Sequence, residues 1–336
     1  MNKMGVLGRF LSSAILILFA LAPSPTMAGR GFYSSIYVFG DSLSDVGNDY
    51  LFTGSIAPPG GYYDGGRFSN GPVAVEYLWK YLTGNIMARM EPSLRVADFR
   101  QSKAVNFAYG GAGTGESNIT PGGFPVFGLV GQANKFLENV RVADRNGLYV
   151  VWAGANDYLL PNVLGSECAP RLVECSTNNI IASIEELHAA GARHFMVANL
   201  PDLGTPPIVN NPGFYPPPLT PSLFTQLAID HNHLLKTKIA SLKQRHSDLD
   251  IAYIDIYKSW NTALTRFSEK DPLTGIAYAG PAGYCLFIDP THCVPAQLDS
   301  FEAPGFAFWD AEHPTTAMHK MLARDMLSGL IRRVFD

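Results

Sequence analysis

The sequence predicts an α/β fold, a parallel sheet of about five strands with helices packed on both faces. Three observations lead there. Five apolar runs rich in β-branched and aromatic residues recur along the chain, and they are continuous rather than alternating, as strands buried on both faces are. Stretches with helical periodicity lie between them, so strand and helix alternate. No Ser/Gly linker or block of charge divides the chain, which favours one domain.

The N-terminus is set apart from this fold. Lys3 and Arg9 precede an apolar run from Phe10 to Leu21, and small residues follow up to Ala28. This reads as a secretory signal peptide over 1–28, which leaves a single domain over 29–336. A membrane span needs roughly 18 or more apolar residues and this run is shorter, so no stable transmembrane segment is expected after cleavage. The chain should be exported, to the periplasm or beyond.

The first strand is "SSIYVFG" (34–40), followed by a helical pattern over 71–83. The second, "KAVNFA" (103–108), leads to a helix over 129–145, and the third, "GLYVVWAG" (147–154), to one over 176–190. The fourth, "RHFMVANL" (193–200), precedes a long helix over 221–246. The fifth, "DIAYIDIY" (250–257), is the last strand, and Pro314 and Thr315 open a final helix over 315–333. Three connections, 54–66, 122–128 and 204–224, are too rich in Pro, Gly and aromatic residues to be regular elements. Loops of that kind often form lids or substrate walls.

Cysteines occur at 168, 175, 285 and 293. An even number in an exported chain argues for two disulfides, and Cys168 with Cys175 and Cys285 with Cys293 is the simplest of three connectivities. Neither spacing is C-x-x-C and no histidine pair completes a zinc set, so no metal site is expected. The formal net charge of -4, with Lys and Arg dispersed, gives a nucleic-acid partner no electrostatic support.

Ligands of open parallel sheets bind beyond the carboxyl ends of the strands. Three runs end there in Gly40-Asp41-Ser42, in "AYGGAG" (108–113) and in "GAND" (154–157). One edge thus collects a hydroxyl, an amide-rich loop and a carboxamide, the groups that acyl transfer uses. Ser42 would need a base and an orienting carboxylate. Three Asp-x-x-His pairs are available: Asp230/His233 inside a helical pattern, where a solvated pair is the simpler reading, Asp289/His292 between two cysteines, and Asp310/His313 just before the last helix. Position favours the third, because a rigid element follows it. His188, His194, His231 and His246 read as surface residues on or beside helices. The dinucleotide spacing G-x-G-x-x-G is absent, since position 116 is Glu, and so is G-x-S-x-G.

These residues match a family. "GDSLSDVGN" resembles the first signature block of the GDSL lipases, or SGNH hydrolases, "VNFAYGGAG" the second, "GAND" the third and "DAEHPT" the last. "GGRFSNGPVAVEYL" (65–78) resembles a stretch common after the first block. The blocks stand in the family's order, and an ordered set is far more specific than any one of them. The resemblance implies a three-layer α/β/α sandwich with a flavodoxin-like, doubly wound sheet. It implies Ser42 as nucleophile, His313 as general base and Asp310 as the carboxylate that orients it. The oxyanion would be held by the N–H groups of Ser42 and Gly111 and by the Asn156 carboxamide. Gly110 competes with Gly111 for that place, although counting five residues on from Asn106 favours Gly111. Asp41 is expected to shape the turn and Asn106 to be structural.

The expected activity is hydrolysis of carboxylic esters through an acyl-enzyme, with no cofactor. At an ordinary pKa of about 6.5, His313 must be neutral to accept the serine proton, so activity should fall in mild acid. The family's range includes lipids, phospholipids, lysophospholipids, small esters and acetylated sugars. Tyr62, Tyr63, Phe124, Phe127, Phe214 and Tyr215 in the loops would suit an acyl chain, which leans the expectation to lipid or (lyso)phospholipid esters and to the bacterial secreted phospholipase-like members. A sugar O-acetylesterase and an acyltransferase remain open on the same residues. A silent binding protein is the alternative of a different class.

Overall fold

The computed structural model describes residues 33–119, 123–159, 168, 171–211, 213–215, 217–267 and 306–335. The expected signal peptide, Cys285, Cys293 and the Asp289/His292 pair lie outside these residues.

Six strands form a parallel sheet in the order β2-β3-β1-β6-β7-β8. The five expected runs supply β1 (Ile36–Gly40), β3 (Ala104–Asn106), β6 (Leu148–Trp152), β7 (His194–Ala198) and β8 (Asp250–Ile254). The sixth strand corrects the expected number. It is β2 (Glu91–Pro92), two residues that pair with Val105 and Asn106 of β3. It has no apolar run to announce it, and its proline is tolerated because the strand lies at the sheet edge.

Successive residues of the central strands point to opposite faces, and both faces are covered. Ile36, Val38, Leu148, Val150, Met196 and Ile254 pack with Leu78 of α2 (Ala74–Thr83), Trp260 of α7 (Ile256–Phe267), and Met318 and Leu322 of α8 (Thr316–Phe335). On the other face Tyr37, Phe39, Tyr149, Val151, Phe195 and Val197 pack with Phe136 of α3 (Leu129–Asn139), Ile184 of α5 (Leu172–Ala189) and Leu235 of α6 (Pro221–Arg245). Phe136 presents ring edges to Tyr37 and Phe107 at centroid distances of 5.0 and 5.6 Å. Full burial of one such ring contributes about 1.5–3 kcal/mol. The result is the expected three-layer α/β/α arrangement.

Two differences from the expected elements have simple causes. Helix α7 went unpredicted because the apolar run 250–257 absorbed its first turn, yet Ile256, Trp260, Ala263, Leu264 and Phe267 are spaced along one helical face. The loop 122–128 is partly regular. Its Pro125–Phe127 forms β5, which pairs antiparallel with β4 (Ser117–Ile119) in a separate hairpin. Elsewhere local signals set the ends. Thr220 accepts the Leu223 N–H at 3.3 Å and Pro221 occupies the first turn of α6, which fixes its start. Short helices α1 (Asn48–Phe52) and α4 (Ala155–Leu159) follow β1 and β6 at the carboxyl edge of the sheet. Because β3, β1 and β6 are adjacent, three of the motif-bearing ends meet there.

Candidate active site

Ser42 lies just past β1, where the local backbone is tightly held. A Cβ at Gly40 would sit 2.3 Å from the Trp152 carbonyl oxygen, so only glycine allows β1 and β6 to approach this closely. The Gln132 side chain bonds both backbone groups of Gly40, accepting its N–H and donating to its C=O, each at 2.8 Å. Asp41 then turns the chain: its C=O accepts from the N–H groups of Ser44 and Asp45, and its Oδ1 from Leu43, all at 3.0 Å. Asp41 thus has the turn-shaping place expected of it. Burial pushes its carboxyl up to about 7, against the Leu43 hydrogen bond and the nearby His313. Ser42 is 8% exposed.

The glycine loop after β3 is tied to the same turn. Asp45 accepts N–H groups from Gly47, Asn48 and Asp49 at 2.8, 2.7 and 3.1 Å, and a fourth from Gly110 at 3.2 Å. That bond occupies the Gly110 N–H. Gly111, at a φ of 74°, is the neighbour whose N–H, like that of Ser42, meets no acceptor among the described residues. Asn106 is structural: its carboxamide donates to the Ser44 C=O at 2.7 Å and accepts from Ala108 at 2.9 Å.

Asn156 enters from α4. One of its amide hydrogens goes to the Ala112 C=O at 2.9 Å, which fixes the carboxamide and leaves the other for a ligand. The next residue, Asp157, accepts from Thr114 through both its N–H (2.9 Å) and its hydroxyl (3.1 Å). Behind that hydroxyl lies the Cys168–Cys175 disulfide, with Cα atoms 5.2 Å apart, as the shortest pairing predicts. Asn179 on α5 touches both Thr114 Oγ1 (3.3 Å) and the Cys168 sulfur (3.6 Å), so the disulfide, the loop and α4 brace one another.

Asp310 and His313 occupy a tight turn before α8. Phe308 bridges to Pro314, and the Trp309 N–H donates to the His313 C=O at 2.7 Å. Asp310 Oδ1 accepts the N–H groups of Glu312 and His313 at 2.8 and 2.7 Å. Asp310 Oδ2 lies 2.7 Å from His313 Nδ1, which directs Nε2 away from the carboxylate. Burial alone would lower the imidazole pKa. The Asp310 charge and hydrogen bond outweigh it, with Glu312 and Asp41 adding, and raise it to about 9. Burial would raise Asp310, and His313 with the two N–H bonds holds it below the usual carboxylate range.

Of the competing pairs, Asp230/His233 falls away on position, and Asp289/His292 lies outside the described residues. Asp230 and His233 are both exposed on α6, and Asp230 accepts instead from Gln226 at 2.8 Å. His231 corrects the surface reading given to it. It is fully buried, its Nδ1 lies 2.8 Å from the Tyr158 hydroxyl and 3.2 Å from Ser176 Oγ, and burial, with nearby Lys238 adding, takes its pKa down to about 3. It supports α4 from behind.

Ser42, Asn156 and His313 line one cleft, with Asp41, Leu43, Ala155, Leu159, Leu203, Trp260 and Glu312 among its other walls. None of the six aromatic residues expected to meet substrate is among the residues lining this cleft. Tyr62 and Phe214 are 61% and 64% exposed, Phe127 packs edge-on to Tyr109, and Phe124 is half-buried beside β5. Tyr215 is buried behind the wall, donating to the Leu159 C=O at 2.8 Å, and Tyr63 donates to Asp310 Oδ2 at 2.8 Å. Sequence reasoning missed Trp260 and Gln132. Gln132 carried a signal, a polar residue in the apolar stripe formed by Leu129, Ala133 and Phe136.

Residues 36–326 match the family GDSL-like Lipase/Acylhydrolase. The chain belongs to that family. It is 27% identical over 337 residues to a GDSL esterase/lipase of Arabidopsis thaliana, covering 90% of this chain and 91% of the relative. It is 26% identical over 308 residues to the secreted effector protein SseJ of Salmonella typhimurium, covering 90% of this chain and 64% of SseJ. Among solved structures it is similar to Axe2, an acetylxylan esterase from Geobacillus stearothermophilus, at 14% identity and a TM-score of 0.43, covering 90% and 96% of the two chains. A likeness at that level says nothing about substrate. GDSL membership carries the coarse activity, hydrolysis of carboxylic esters. Among the described residues no helix is long and apolar enough to cross a membrane.

Proposed function

We propose that this GDSL enzyme cleaves acyl esters by nucleophilic catalysis from Ser42, with His313 as base, Asp310 as its orienting carboxylate, and Ser42 N–H, Gly111 N–H and the Asn156 amide as oxyanion donors. One observation carries the reading: Ser42, Asn156 and His313, far apart in sequence, face the same cleft while Asp310 holds His313 Nδ1 at 2.7 Å. In the acylation step Ser42 Oγ bonds to the ester carbonyl carbon and passes its proton to His313 Nε2. The carbonyl oxygen becomes the oxyanion, and the free Asn156 amide hydrogen and the two backbone N–H groups meet it. Collapse breaks the ester bond, and the alcohol leaves with the proton from His313. Water then repeats the sequence on the acyl-serine, releasing the acid and restoring Ser42.

The substrate is a lipid or (lyso)phospholipid acyl ester, as in the bacterial secreted phospholipase-like members. Support comes from the cleft wall, where Leu43, Leu159, Leu203 and Trp260 offer apolar surface to an acyl chain. The enzyme is one domain over 29–336, exported by the signal peptide 1–28 to the periplasm or the medium. The Cys168–Cys175 disulfide agrees with an oxidising compartment. A fluorophosphonate probe tests the chemistry: a Ser42 adduct on folded protein at pH 8 is expected, and an unlabelled Ser42 sinks the proposal. An acyl-length series of p-nitrophenyl esters run beside phospholipid and acetylated xylan tests the substrate. A preference for acetyl groups on sugar would replace the lipid assignment.

A further inference from the structure

The two oxygens of Asp310 are held by different parts of the molecule. Oδ1 is fixed by its own turn, through the N–H groups of Glu312 and His313. Oδ2, the oxygen nearest His313 Nδ1, has one other hydrogen-bond partner among the described residues, the Tyr63 hydroxyl at 2.8 Å. Tyr63 comes from the loop before α2, so this bond joins the first and last motif regions of the chain. With Oδ1 alone pinned the carboxylate could still pivot, whereas a second anchor on Oδ2 sets its plane. Tyr63 is held in turn by edge contacts to Trp309 and Phe68, both at 6.4 Å between centroids, and Phe68 lies 5.0 Å from the His313 ring. Burial and the adjacent Asp310 charge push the Tyr63 phenol far above its ordinary pKa, so it remains a donor throughout the working range.

Resting on the hydrolase reading above, we propose that Tyr63 is a positioning residue for catalysis, its hydroxyl holding the Asp310 carboxylate in the plane that His313 requires. The charged neighbours are few. Asp310, Glu312, Asp41 and the buried His319 bear on His313, and Asp310 and Glu312 bear on Tyr63. Tyr63→Phe removes one donor and leaves every one of these groups in place. The carboxylate charge is then less shared, the imidazolium is better stabilised, and the imidazole surrenders its proton less readily.

The test is the pH profile of Tyr63→Phe on a soluble p-nitrophenyl ester, beside probe labelling of Ser42. The ring and its contacts to Trp309 and Phe68 remain in this variant. The expected result is a kcat about tenfold lower, as loss of a charge-assisted bond to the orienting carboxylate predicts. KM should stay within about twofold, and the ascending limb of the pH profile should move up by about half a pH unit. An unmoved limb with reduced activity would make Tyr63 merely structural and overturn the inference. A raised KM with unchanged kcat and limb would overturn it too, returning Tyr63 to the substrate. Both results leave Ser42 reactive and the hydrolase reading intact. A wild-type protein that does not label refutes that reading and the inference together.

Discussion

The pH dependence of activity follows from the way Asp310 grips His313. With the imidazole raised to about 9, about one molecule in a hundred carries the neutral base at pH 7 and about half do at pH 9. The ordinary histidine value of about 6.5 would instead give a plateau already at pH 7.5. Initial rates on a short-chain p-nitrophenyl ester, corrected for spontaneous hydrolysis, should therefore give log kcat/KM rising with unit slope from pH 6 to 8 and bending near 9. Asp310→Asn should lower kcat/KM by about 10⁴ at pH 7, because an amide favours the wrong tautomer, and should bring the limb down. Stability should move the opposite way. His313 is raised above its unfolded value, and so are Asp41 and Asp157 at about 7 and Asp49 at about 8, burial being the largest cause for each aspartate. Across pH 6.5 to 9 the folded chain holds more protons than the unfolded one, so Tm should fall as pH rises through that window. A limb at 6.5 or lower, or a loss under tenfold in Asp310→Asn, would refute the assignment of His313 and Asp310.

Three further outcomes are expected. Asn156→Ala should cost about a hundred- to a thousandfold in kcat with little change in KM, measured by steady-state kinetics, because the amide acts on the developing charge. Gly40→Ala should destabilise the fold by about 2 kcal/mol or more, since its methyl group meets the Trp152 carbonyl at 2.3 Å. A urea midpoint equal to that of wild type would contradict it. Replacing Cys168 and Cys175 by serine should cost about 2–3 kcal/mol by loop closure. It should also lower kcat, because the pair braces Thr114 and α4.

Much of the fold was legible because its strands are buried on both faces. Continuous runs such as Ile36–Gly40 and Leu148–Trp152 stand out in any reading of the chain. Strand β2 was invisible because two edge residues carry no periodicity, and α7 because an apolar strand ran into an apolar helix face. The site was legible as residue types and less so as partners. Spacing made Asp230/His233 and Asp310/His313 look alike, and burial separated them, one pair exposed on α6 and the other with His313 in the cleft wall and Asp310 buried.

By itself the sequence determined the alternating architecture and the ordered motifs around Ser42, Asn156 and His313. These depend on local periodicity and on neighbours in the chain. Only the tertiary structure decided which oxygen of Asp310 faces the imidazole, that Asp45 occupies the Gly110 N–H, that His231 is buried, and that Tyr63 bonds to the carboxylate rather than lining the cleft. Except for the Asp310–His313 turn, each rests on contacts between segments remote in sequence. Such contacts are fixed by the packing of the sheet edge and its loops, and no local pattern encodes them.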